Sequence, residues 1–141
     1  MALAIDIADA VVTELAGGAF SQNFTPERRV LPEYELADLK DLRVTVVPAA
    51  VETSGASRTL SQHDVQIDLA VQKKLDAADN AEIDALMGLV EELAEFLRTK
   101  RQFGDAAWVR TENSPVYSQE HLGELRQFTS VLTATLRVVK T

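Results

Sequence analysis

The chain has 141 residues, of which 46% are hydrophobic and 26% charged, with a net charge of −8 and no cysteine. Such a composition suits one globular domain and excludes disulfides, thiolate metal sites and cysteine nucleophiles. The acidity argues against a phosphate-neutralising nucleic-acid surface and suits solubility, basic partners, or a wall to which DNA does not adhere.

In chain order, the first element is helical. Ile7, Ala8, Val11, Val12 and Leu15 follow the 3.6-residue period, and Gly17–Gly18 is expected to stop the helix with a left-handed residue. Asp6 and Asp9 interrupt the apolar character and no basic segment precedes them, so a signal peptide is not expected. An apolar run of about 18 residues, long enough to span a bilayer, occurs nowhere. Residence in a cytoplasm is the default expectation.

Pro26 and Pro32 exclude a continuous helix or central strand over residues 24–42. A short edge strand over residues 28–31 and an extended segment through Leu36 and Leu39 fit best. LRVTVVP, residues 42–48, reads as a strand ended by Pro48, and residues 49–62 as a projecting loop or the tip of a long hairpin. Val65, Ile67, Leu69 and Val71 then alternate with Gln66, Asp68, Ala70 and Gln72, the mark of a strand with one buried face. Residues 79–102 form the strongest helical pattern. Asp79 and Glu82 resemble a capping box, Arg98, Lys100 and Arg101 suit the negative end of the dipole, and Ile83, Leu86, Met87, Val90, Leu93, Ala94 and Leu97 make a core stripe. AAWVRT reads as a short strand, ENSPVYSQEHLGEL as a long excursion, and RQFTSVLTATLRVVK as a terminal strand. Its Phe128, Leu132, Ala134, Leu136 and Val138 share one face, and Thr129, Thr133, Thr135 and Arg137 the other. The expected fold class is α+β: a mainly antiparallel or mixed sheet of four to five strands, with the N-terminal helix and the long central helix packed on one face.

Candidate chemistry centres on SQHDVQIDLAVQKKL, residues 61–75. In a strand, His63 points with Val65 and Ile67, while Asp64 points the other way with Gln66 and Asp68. A ligand set would need His121 or Glu124 from elsewhere, and nothing resembles HExxH. GxGxxG, a P-loop and GxSxG are missing, and Ser54–Gly55 has no neighbouring base. Asp38, Asp41, Glu33 and Glu35 around Tyr34 read as a solvated or partner-binding rim. No catalytic, cofactor-binding or metal residue is assigned.

Other features point to assembly. The apolar arc of the long helix spans about 180°, more than one sheet face requires. Its extra edge, carrying Leu89 and Phe96, meets either the first helix or a neighbouring subunit. Gly88, on the polar side, allows close approach of another backbone or is simply tolerated. An open sheet leaves edges that invite pairing, and a projecting hairpin can grip the next subunit.

RRVLPEYELADLKDLRVTVVP, SQHDVQIDLAVQKKL, the acidic-then-basic helix and the alternating terminal strand together resemble the tail-terminator, or tail-completion, proteins of long-tailed bacteriophages and prophages. The resemblance runs from about residue 5 to 140, within a single terminator-like domain spanning 1–141. It implies a structural virion protein of the tail or neck, assembled in the host cytoplasm. Copies would form a ring, commonly a hexamer, that caps the tail tube, ends its polymerisation and offers the head-joining surface. It also implies no enzymatic activity and no cofactor. The implied partners are the chain itself, the tail-tube protein and the head–tail connector or neck protein, with DNA passing through the lumen unbound and no membrane contact.

A ring uses two different faces of each subunit. Arg28, Arg29, Arg43 and Arg58 lie in the sheet-and-loop half, and Glu91, Glu92 and Glu95 on the helix, so their contact, with Leu89 and Phe96, is one expected seam. The competing readings are a small adaptor that binds one protein partner as a monomer or dimer, and a small metal-dependent hydrolase that uses His63 or His121.

Overall fold

The computed structural model describes residues 2–29, 41–75, 80–114 and 116–140. Helix α1 (Leu3–Ala16) is followed by β1 (Pro26–Arg28), β2 (Arg43–Gly55) and β3 (Ser61–Lys74), then helix α2 (Asn80–Lys100). Next come β4 (Gln102–Phe103), β5 (Ala106–Glu112), a π-helical turn (His121–Leu125) and β6 (Gln127–Lys140). The class is α+β, with one mixed sheet in the order β1-β2-β3-β6-β5-β4. β1 runs parallel to β2, and the other neighbours are antiparallel. None of the described helices is long and apolar enough to cross a membrane.

Six strands stand where four to five were expected. The additional strand is β4, two residues paired with Ala106 and Ala107, too short to show any alternation in sequence. Strand β2 also runs past Pro48 to Gly55, contrary to the expected end at Pro48. The pairing shifts register between Pro48 and Ala50, and such a bulge is one of the places where a strand tolerates proline. Residues 49–62 are therefore the outer part of a long hairpin whose turn occupies only 56–60. The expected segments through Leu31, Pro32, Leu36 and Leu39, the acidic run Glu33, Glu35 and Asp38 around Tyr34, and the cap Asp79 lie outside the described residues. Of the expected capping pair, Glu82 instead accepts a hydrogen bond from Lys73 Nζ at 2.9 Å.

Alternation sorts the sheet into two faces. Val65, Ile67, Leu69 and Val71 of β3 join Leu132, Ala134, Leu136 and Val138 of β6 on the core face, which both helices cover. Helix α1 contributes Ile7, Ala8, Val11 and Leu15, and α2 contributes Leu86, Leu89, Val90, Leu93 and Leu97, all buried. Each fully buried leucine stabilises the fold by about 1.5–3 kcal/mol through burial of apolar surface. That term, repeated along a stripe of period 3.6, is why α2 forms where it does.

Helix α1 stops differently from expectation. Gly17 is right-handed, with φ −88°, and the chain closes through Gly17 N–H to Glu14 O at 3.2 Å and Gly18 N–H to Leu15 O at 3.1 Å. Glycine is needed one residue later and for a different reason. A β-carbon on Gly18 would lie 2.7 Å from the Phe20 ring and 3.1 Å from that of Phe96. Phe20 packs against both Phe24, in a tilted pair, and Phe96, edge to face, with centroids 5.3 Å apart in each pair. The extra apolar edge of α2 therefore meets the loop after α1, within the same chain.

Candidate functional site

The outer face of the sheet, away from the helices, is polar and ordered by register. Glu52, Asp64, Arg137 and Ala107 form one row across β2, β3, β6 and β5. Ala50, Gln66, Thr135 and Arg110 form the next. Asp64 takes hydrogen bonds from Arg137, and Asp68 Oδ1 accepts one from Thr133 at 2.8 Å. The Arg137 hydrogen bond holds the Asp64 carboxyl below the ordinary carboxylate range, against the opposing effect of burial, and Asp64 in turn raises the guanidinium. The row is a cross-strand ion pair of the kind that fixes register.

The two histidines lie against opposite ends of β6, His63 on β3 and His121 in the π-helical turn. His63 sits across from Val138, its Nδ1 2.9 Å from Thr53 Oγ1 and its Nε2 3.2 Å from Ser61 Oγ. His121 Nδ1 lies 2.9 Å from Thr129 Oγ1, so the two anchor points are nine positions apart along β6. At about 3.3 Å per residue that is roughly 30 Å, too far for a shared ion. Each imidazole is engaged by hydroxyls, and Asp64 faces away from His63. Among the described residues no group of three or more acidic or histidine side chains could hold a metal.

Of the residues expected at a seam, several have partners within the chain. Arg28 Nε bonds Asp9 at 2.6 Å, and Arg29 Nη2 bonds Glu27 at 3.0 Å. Glu92 accepts the Ser21 N–H at 2.9 Å, and Arg98 bridges to Glu95, whose carboxyl it lowers. Leu89 is completely buried and Phe96 packs on Phe20, so both side chains serve the chain's own core. Arg43 opens β2 opposite Gln72, while Arg58 stands exposed in the hairpin turn and Glu91 exposed on α2. Among the described residues nothing meets a β-carbon placed on Gly88 within 4 Å.

The sequence pointed to a projecting hairpin over residues 49–62, and what it did not show is that β2 continues as a strand to Gly55. Residues 49–55 of β2 and 56–60 of the turn are exposed without exception. Val51 is 46% exposed, Leu60 36% and, two strands away, Val139 51%, so the far end of the sheet offers apolar groups to solvent. β1 pairs with β2 only at Val44, Thr45 and Val46, leaving the outer edge of residues 49–55 with no strand beside it among the described residues. The signal available in sequence was the run AAVETSG, β-compatible but nearly uncharged. No family model matches the chain, and no curated protein is found to be similar to it.

Proposed function

We propose that this chain is a structural assembly protein whose copies close into a ring on the end of a phage tail tube. The ring ends tail polymerisation and presents the surface to which the head connector joins. The observation that carries this reading is the outer hairpin, a stretch of strand exposed on both faces at the open edge of a well-packed α+β body. Strand edges of that kind invite pairing, and the exposed Val51, Leu60 and Val139 lie at the same end. The separation of the two histidines and their hydroxyl partners weigh against the hydrolase reading. The segment order resembling tail terminators supplies the tube as the surface on which the ring is built.

Native mass spectrometry of the full chain at several concentrations, with and without tail-tube protein, tests it. A ring, free or on tube ends, is the expected result. A strict monomer or dimer that ignores tube ends overturns the proposal in favour of an adaptor.

A further inference from the structure

We infer that free copies of this chain pair end to end about a two-fold axis. Each copy docks the turn of its β2–β3 hairpin, through Arg58 and Leu60, in a groove at the same end of the other. The occupant of the groove is thus a second copy of this chain.

Among the described residues the exposed large hydrophobic side chains are Ile5, Val51, Leu60, Val116 and Val139. All but Val116 gather at the hairpin end of the sheet. Leu60 closes the turn, and Val51 and Val139 lie on the strands that run into that end. Ile5 sits between Leu3 and Ile7, which meet Val138 there. Apolar groups gathered in this way mark a contact surface, whereas single ones scattered over a protein do not.

The same end carries a groove of about 210 Å³, floored by Leu3, Ile7, Phe103 and Val138 and flanked by Asp6, Asp105 and Lys140. That volume lies below the roughly 300–1,000 Å³ of small-molecule sites, and it suits an inserted side chain. Leu60 supplies an apolar one, with Arg58 two residues before it.

Charge selects both the occupant and the axis. Asp6, Arg58, Asp105 and Lys140 are all exposed, and none forms an ion pair among the described residues. The two acids outnumber Lys140 at the groove, and Arg58 is the one charged residue of the turn at 56–60. Within one chain they stand apart, because the turn joins β2 to β3 while Asp105 precedes β5, two strands further across the sheet. A two-fold axis along the sheet normal reverses the order of the strands. The hairpin of each copy then faces the β5 side of the other, and both contacts of Arg58 with acid form at once. An axis in the plane of the sheet would instead set hairpin on hairpin and Arg58 beside its own copy. The first arrangement is self-complementary, as an isologous contact requires. The surface is small, so pairs form only as concentration rises.

Sedimentation of the full chain over a wide range of concentration, without tail-tube protein, tests the pairing. A monomer–dimer equilibrium is expected. R58E should raise its dissociation constant about tenfold, and the R58E/D105R swap should restore most of the affinity. Both positions are exposed, so neither change disturbs the core. A strict monomer, or a dimer indifferent to R58E, overturns the inference. Rings in place of dimers would also overturn it while supporting the ring reading, so the two fail separately.

The absence of native cysteine lets oxidation of R58C/D105C test the axis. The two positions are separated by two strand spacings, about 10 Å, beyond the roughly 7 Å that a disulfide spans, so links form between copies. A closed covalent dimer is expected. A ladder of higher species would show a head-to-tail contact, and an equal yield of dimer from R58C alone would show hairpin on hairpin. Either result overturns the inference.

Discussion

Arg137 grips Asp64 across the β3–β6 boundary, its Nε 2.8 Å and its Nη2 3.3 Å from the two carboxylate oxygens. The Asp64 side chain is 24% exposed and that of Arg137 40%, so solvent screens the pair and its worth is small. Asp64→Asn should cost about 0.5–1 kcal/mol near neutral pH. The folded-state pKa of Asp64 is depressed, so its contribution is complete above the unfolded value of about 3.9 and is lost as pH falls through the lower folded value. Urea unfolding of both proteins across pH should show stabilities that differ at neutrality and converge in acid. A constant gap over that range would show that the carboxylate charge is not what matters.

Leu89 tests whether the extra apolar edge of α2 belongs to the fold or to a neighbour. It is fully buried in the core between the helices and the sheet. Leu89→Ala should therefore lower the stability of the isolated chain by about 2–5 kcal/mol through lost contact and a cavity. Denaturant titration at a concentration where the protein is monomeric measures this directly. Unchanged stability with impaired assembly would return Leu89 to the seam.

The helices and the two central strands were legible because one period dominates each of them. Ile83 to Leu97 repeat every 3.6 residues, and Val65 to Val71 and Phe128 to Val138 repeat every second one. Alternation alone also separates His63 from Asp64. The partner of Asp64 was not legible, because it depends on which residue of β6 faces β3, and a register is a property of two strands together. The length of β2 was hidden for a local reason: Pro48 and the small residues after it weaken the strand signal, and the compensating bulge is visible only in the pairing. The same holds for β4, which has two residues and whose place at the edge beside β5 is visible only in the pairing. The wide apolar arc of α2 was visible as an excess, but Phe20, which covers part of it, lies far away in sequence.

Arg101 takes φ +63°, the left-handed position that ends α2, and its carbonyl accepts the Trp108 N–H. A side chain with a β-carbon is strained there by roughly 1 kcal/mol, and glycine is not. Arg101 is exposed, so little packing is lost on truncation. Arg101→Gly should raise the midpoint of thermal unfolding, with a gain of about 0.5–1 kcal/mol after allowing for the freer unfolded chain. A fall in the midpoint would show that the guanidinium has a structural role.

Gln72 is buried on the outer face of β3, and its Oε1 has no hydrogen-bond partner among the described residues. An orphaned buried acceptor costs about 1–3 kcal/mol, whereas an apolar side chain of similar length carries no such penalty. Gln72→Met should therefore stabilise the chain by about 1 kcal/mol in urea titration. A loss of stability would reveal that the amide is engaged after all.

Gly18 is the residue whose replacement should report most directly on how α1, its following loop and α2 are locked together. An added methyl would press into the tip of the Phe20 ring at 2.7 Å, and Phe24 and Phe96, which flank that ring, oppose its displacement. The overlap must be relieved by moving the loop or by prising Phe96 outward, and overpacking of this kind costs about 1–3 kcal/mol. Gly18→Ala should accordingly lower the unfolding midpoint. In the double variant with Phe20→Leu most of the penalty of the alanine should vanish, because a smaller side chain leaves room for the methyl. Equal penalties in both backgrounds would mean that the backbone of Gly18, rather than the aromatic cluster above it, sets the requirement.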